Sequence, residues 1–180
     1  MASIPRLEPL PAEEWDDDVR SALSPLLPTE RANPPRRRQH RKQLVRNKGL
    51  TRAYLEFNAH LLLHSTVSAR VREVALLRAV HLRGSEYLWD HHVPIAQRAG
   101  LTVAEIQAVR TGEVIDQVDA VVVRAVDELE GSSTLTDATW SHLREQFDEQ
   151  QVLDLVFFTV GCYQLLAVAV RVFGIQPEEH

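Results

Sequence analysis

The chain has a single cysteine in 180 residues, Cys162, so one copy holds no disulfide framework, no CxxC redox pair and no thiolate metal cluster. Glycine is also scarce. Seven glycines against a rich supply of Ala, Val, Leu and Arg lean toward helix. Long hydrophobic runs are missing: the longest uncharged stretch, Leu155 to Val170, spans 16 residues and includes Gln164. A membrane span needs about 20 residues, so this stretch reads as a buried helix and no membrane partner is expected. The N-terminal MASIPRLEPLPAEEW contains no apolar segment of signal-peptide length, and Glu8, Glu13 and Glu14 argue against a transit peptide. A cytoplasmic location is the resulting expectation.

What is present suits one compact all-α domain. A hydrophobic content of 44% and a charged content of 25% match ordinary globular chains. At this length about two-thirds of the unfolded surface becomes buried. Charge is unevenly spread, because Arg31 to Lys48 carries eight Lys or Arg and no acid, leaving twelve bases against twenty-five acids elsewhere. Prolines 25, 28, 34 and 35 make the start of this basic arm irregular, and residues 25 to 43 read as a linker or wrapping arm. The arm lacks interleaved aromatics and any reading motif, so nucleic acid is not an expected partner; the acidic body of a neighbouring subunit suits it better.

Apolar periodicity predicts a short helix over Ala12 to Leu23 and longer ones over Gly49 to His64 and Val67 to Leu82. Thr66 or Ser68 would cap the last of these, and a turn follows at Arg83-Gly84-Ser85. The next helix starts at Ser85 and ends at Ala99-Gly100, with Pro94 expected to kink or break it. Thr102 to Glu105 is a capping box opening a helix to Thr111, and further helices are predicted over Asp116 to Leu129, from Thr136 to Phe147, and over Glu149 to Phe173.

The chemistry-bearing residues gather around the Gly84 turn. Nineteen residues separate Glu73 from His92, so the two side chains can face each other across a helical hairpin as an acid/base pair. Ser85, Leu88, Trp89 and His92 fall on one helical stripe, and Ser85 adds a hydroxyl at a helix N-terminus, where a small anion can bind. Plain structural roles compete with each assignment: Ser85 as a mere cap, Glu73 as an exposed partner of Arg70, His92 as a packed neighbour of Trp89. His60 and His64, four residues apart, can be drawn with His81, His91 and Asp90 into a metal site, but no recognised ligand spacing accompanies them and no metal is expected.

The segment REVALLRAVHLRGSEYLWDHHVPIAQRAGLTVAEIQAVRTG, from Arg72 to Gly112, resembles the core of the carboxymuconolactone decarboxylase family, within the alkylhydroperoxidase D-like superfamily. The likeness extends more loosely from Leu50 to Gly174. It divides the chain into residues 1–48, an N-terminal helix and basic proline-containing arm, and 49–176, the family's helical domain. It implies an alkylhydroperoxidase D-like helical fold and a homo-oligomer, a trimer or hexamer, that buries Val152 to Phe173.

The peroxidase branch of that superfamily uses a CxxC pair, a Glu twelve residues before the first cysteine and a His four after the second. Glu73 and His92 stand at the matching positions, but Ser85 and Leu88 replace the cysteines. Serine has no comparable redox chemistry, so dithiol peroxidase activity is not expected; residual peroxide chemistry would have to run through an exposed Cys162. The decarboxylase branch needs neither cysteine nor cofactor. The resemblance therefore implies lyase chemistry on a small carboxylated lactone or related organic acid, with Glu73, His92 and Ser85 as catalytic groups. Arg78 or Arg72 would hold the substrate carboxylate, and Trp89, Tyr87 and His81 would contribute to its binding. The alternative is a non-catalytic oligomeric scaffold or small-ligand binder of the same fold, or a peroxidase-related protein that has lost its dithiol.

Overall fold

The structure is a computed structural model that describes residues 5–26 and 39–175. Residues 27–38 of the expected arm lie outside the described residues. No strand occurs among the described residues, which form two compact units: those up to residue 64 together with those from 169 on, and residues 65–168. The boundary expected at residues 48 and 49 falls inside the first unit.

In the first unit a 3-10 turn, Ala12–Glu14, precedes α1 (Asp17–Ala22), followed by α2 (Gln39–Leu44) and α3 (Lys48–Leu63). The predicted Ala12 to Leu23 helix is thus split. Asp16 causes the split: its backbone is extended and its side chain accepts from the Val19 amide, the geometry of an N-cap. Trp15, Val19, Leu23, Val45 and Leu55 form a small core against which Leu10, Leu26 and Tyr54 pack. The described end of the basic arm is helical at α2 instead of a linker, and it binds its own chain. Gln43 donates to the Leu7 carbonyl at 2.9 Å, Arg46 to Glu8 at 2.6 Å, and Lys48 to the Asp16 carboxylate at 2.7 Å. Of the arm's bases, Arg46 and Lys48 are met in this way by the chain's own carbonyls and acids.

The second unit holds α4 (Ala69–Leu82), α5 (Glu86–Arg98), α6 (Val103–Thr111), α7 (Gln117–Ser132), α8 (Asp137–Gln146), α9 (Glu149–Val156), a π-helical segment (Phe157–Gln164) and the start of α10 (Leu165–Phe173). Its centre is α4, against which α5, α6, α7 and the π segment all pack. Val71, Val74, Ala75, Leu76, Leu77, Ala79 and Val80 are buried around most of its circumference, the pattern of an interior helix. Ser68 caps it by accepting from the Val71 amide. Gly84, at φ 62°, makes the left-handed turn into α5 that a side chain would strain.

Pro94 neither breaks nor ends α5, which runs through it. It is exposed, as is Asp90 four residues earlier, so solvent is at hand for the Asp90 carbonyl that loses its helical donor. Arg78 fastens α4 to two neighbours. Its guanidinium donates to both Asp127 oxygens at 2.6 and 3.0 Å, and to the Val109 and Arg110 carbonyls near the end of α6. Gly112, at φ 84°, permits this approach: a Cβ there would lie 3.1 Å from Arg78 Nη2. The Glu149–Phe173 helix is long and apolar enough to cross a membrane by length and composition, yet half of it is buried within the chain.

Arg70 holds the α6 and α7 starts by pairing with Glu105 at 2.7 Å and Asp119 at 2.5 Å. Arg70 and the Thr102 cap bonds depress the Glu105 carboxyl from 4.5 to about 2. A depressed folded-state value means that these bonds stabilise the fold fully above about 4.5, and that their contribution disappears as pH falls toward 2. Burial acts oppositely on Asp119, raising its pKa despite Arg70. Urea midpoints measured from neutral pH down to about 2 should fall less steeply for Glu105→Gln than for the parent chain; equal slopes would show that Glu105 does not carry this pH dependence.

Candidate active site

Glu73 lies on the buried surface of α4, where an ionised carboxyl requires a partner. α5 supplies it: His92 Nδ1 stands 3.0 Å from Glu73 Oε2, with both side chains buried. The competing pairing of Glu73 with Arg70 does not occur, because Arg70 turns to Asp119 and Glu105. When Nδ1 carries the proton and donates it to the carboxylate, Nε2 is left as the ring's free acceptor, the arrangement in which imidazole takes or gives a proton.

The other wall of this pair was not legible in the sequence. Tyr163, from the π segment, presents its ring edge-on to His92 at 5.2 Å and 85°, and Phe158 packs on Tyr163 at 4.9 Å. In a regular helix these two aromatics would share no simple heptad-like face. The widened π turn shifts the register. Thr159 supports the distortion by donating its hydroxyl to the Leu155 carbonyl at 2.8 Å.

Ser85 occupies the N-cap position of α5 but does not cap it. Its hydroxyl accepts from no helix amide and, although the residue is 2% exposed, has no hydrogen-bond partner. Leu88, Trp89 and His92 are buried with it on the predicted stripe. Two turns of helix separate Ser85 from His92, about 10 Å along the axis.

His81 and Trp89 form a second group at that end of α5. Their rings meet at 5.7 Å, Arg110 lies over the Trp89 ring at 4.9 Å, and Arg110 also binds Glu86 at 2.8 Å. Burial, helped by the Arg110 and Arg78 charges, pushes the His81 imidazole below its ordinary value and so toward its neutral form. Arg110 and Glu86 were not among the expected site residues. Arg78 was, as a carboxylate holder, but its donors are engaged by Asp127 and the α6 carbonyls. Arg72 and Tyr87 are half-buried. His60 and His64 lie 5.9 Å apart, and among the described residues no group of three or more His, Cys, Asp or Glu is arranged to hold a metal.

Cys162 is 1% exposed, and burial pushes its thiol up to about 12. The exposed, activated thiolate that residual peroxide chemistry would demand is therefore not there.

The all-helical unit, with a glutamate–histidine pair across a hairpin, has the fold of alkylhydroperoxidase D-like structures. Residues 48–130 match the model of the Carboxymuconolactone decarboxylase family. No curated protein matches it. Among solved structures, an uncharacterised peroxidase-related protein from Ralstonia eutropha, described as an alkylhydroperoxidase AhpD core, superposes with a TM-score of 0.78 at 16% identity, covering 99% of this chain and 95% of that one. A protein of unknown function from Agrobacterium tumefaciens, linked to AhpD and antioxidant defence, gives 0.65 at 16% identity over 73% of this chain and 92% of its own. At that identity both establish the fold.

Two measurements follow. Cys162 should resist peroxide in the folded protein and react after denaturation; mass spectrometry showing rapid oxidation of the native chain would contradict its burial. Arg78→Ala should lower unfolding free energy by about 2–3 kcal/mol, because it leaves Asp127 and two carbonyls unpaired. Unchanged stability in urea would instead release Arg78 for a role in binding.

Proposed function

We propose that this protein carries out cofactor-independent acid/base chemistry of the lyase type on a small carboxylated lactone or related organic acid. The observation that carries the reading is the buried Glu73–His92 pair at 3.0 Å. In such a reaction the bond between carbon and carboxylate breaks, carbon dioxide leaves, and the electron pair remains as an enolate-like anion. Donors stabilise that anion until a proton reaches carbon. His92, oriented by Glu73, takes up a proton at Nε2 and delivers it to carbon, and the partnerless Ser85 hydroxyl is a ready donor to the anion or the substrate. Trp89, His81, Tyr87 and Arg72 complete the proposed substrate surroundings.

Cytoplasmic residence and assembly into a trimer or hexamer belong to the same proposal. Support for self-association comes from an apolar row along one helix, Leu153, Phe157, Val160, Leu165 and Val168, which is left exposed.

A second reading, a small-ligand binder or scaffold that has lost catalysis, is favoured by one observation. The pair is closed on itself, with both side chains buried and bonded to each other. Thermal-shift screening against lactones and small organic acids will find a ligand under either reading, since native-state binding raises the melting temperature. Turnover separates them. Carbon dioxide release from a hit should fall by about 10²–10⁴-fold in both Glu73→Gln and His92→Ala, with the fold retained. Full activity in either variant removes the assignment, and stabilising ligands without any turnover favour the binder.

A further inference from the structure

A cavity of about 350 Å³ lies between the end of α7 and the α9–π segment, on residues that the Glu73–His92 chemistry does not use. That volume falls at the small end of the about 300–1,000 Å³ of ligand sites. Its walls are mainly apolar, formed by Leu129, Val156, Phe157 and Val160, with Gln164, Arg83 and the exposed Ser133 as polar members.

Gln164 is 5% exposed, and its Nε2 has no hydrogen-bond partner. A buried amide donor facing no acceptor is costly, so a cavity-lining amide in this state points to an acceptor that the occupant brings. Charge selects the kind of acceptor. Arg83 is the one charged residue lining the cavity among those described, and it is already matched by Glu130 at 2.6 Å, whose side chain is 11% exposed. An anion would find no uncompensated cation here, whereas a neutral carbonyl meets the amide and leaves an apolar body for the walls.

We infer that this cavity is a second binding site, taking a small neutral molecule with an apolar chain or ring and one carbonyl oxygen, which accepts from Gln164 Nε2. Gln164 follows Tyr163 directly in the π segment, so an occupant held by Gln164 adjoins the element that packs on His92.

The test uses the full-length protein, 2-octanone as the neutral probe and octanoate as its anionic counterpart, with affinities from ligand-observed NMR titration and folding checked by circular dichroism. 2-Octanone should bind saturably and octanoate about tenfold more weakly or worse. Gln164→Leu should weaken the ketone about tenfold, the worth of one neutral hydrogen bond. Val160→Trp, at the exposed rim, should fill the space and abolish binding, and it carries the test alone if Gln164→Leu does not fold. Octanoate binding as tightly as the ketone would overturn the inference, as would ketone affinity that survives both substitutions. So would the absence of any ketone binding, the result if water or a side chain from a second copy fills the space.

Discussion

A carboxyl group in the interior of a helical protein must be neutralised or bonded, and the arrangement around α4 follows from how Glu73 meets that demand. His92 answers it from the neighbouring helix, which requires the Gly84 turn to bring α5 back along α4. The bond therefore ties the two central helices together while orienting an imidazole. The groups around it are arranged consistently: Tyr163 and Phe158 close one side of His92 from the π segment, and Leu88 and Trp89 bury the stripe on which His92 stands.

The basic residues of α4 act differently from the acid. Arg70 and Arg78 each reach across to acids of α7 and to groups of α6, so the three helices are held by charge-assisted bonds at both ends of α4. This division of labour explains why the arginines do not compete for Glu73. Their long side chains carry the charge toward the margin of the unit, to the partly exposed Glu105 and Asp127 as well as the buried Asp119, whereas the short reach of Glu73 keeps it inside. Ser85 and Leu88 stand where the peroxidase branch of the resembled superfamily carries cysteines, and the proposed chemistry accordingly moves protons and uses no thiol.

The helices could be placed from the sequence because their signals are local. Apolar spacing marks α3, α4 and α7, and the Thr102–Glu105 capping box that opens α6 forms as written, since a side chain three residues away decides it. Glu73 and His92 were also recognisable, from their spacing about the turn and from a family resemblance. The local signals misled at Ser85, which has the residue type of a cap without making the bond, and at Pro94, which an exposed helix face tolerates.

Sequence by itself determined the helical class, the positions of the main turns and the absence of a CxxC pair, because each depends on residue type and short-range spacing. Tertiary structure alone decided that Glu73 is inside and bonded to His92, that Arg70 and Arg78 are clamps, and that Tyr163 stands against the imidazole. Those outcomes depend on which helix faces meet and on a π turn that shifts the aromatic register, and both are settled by packing between residues far apart in the chain.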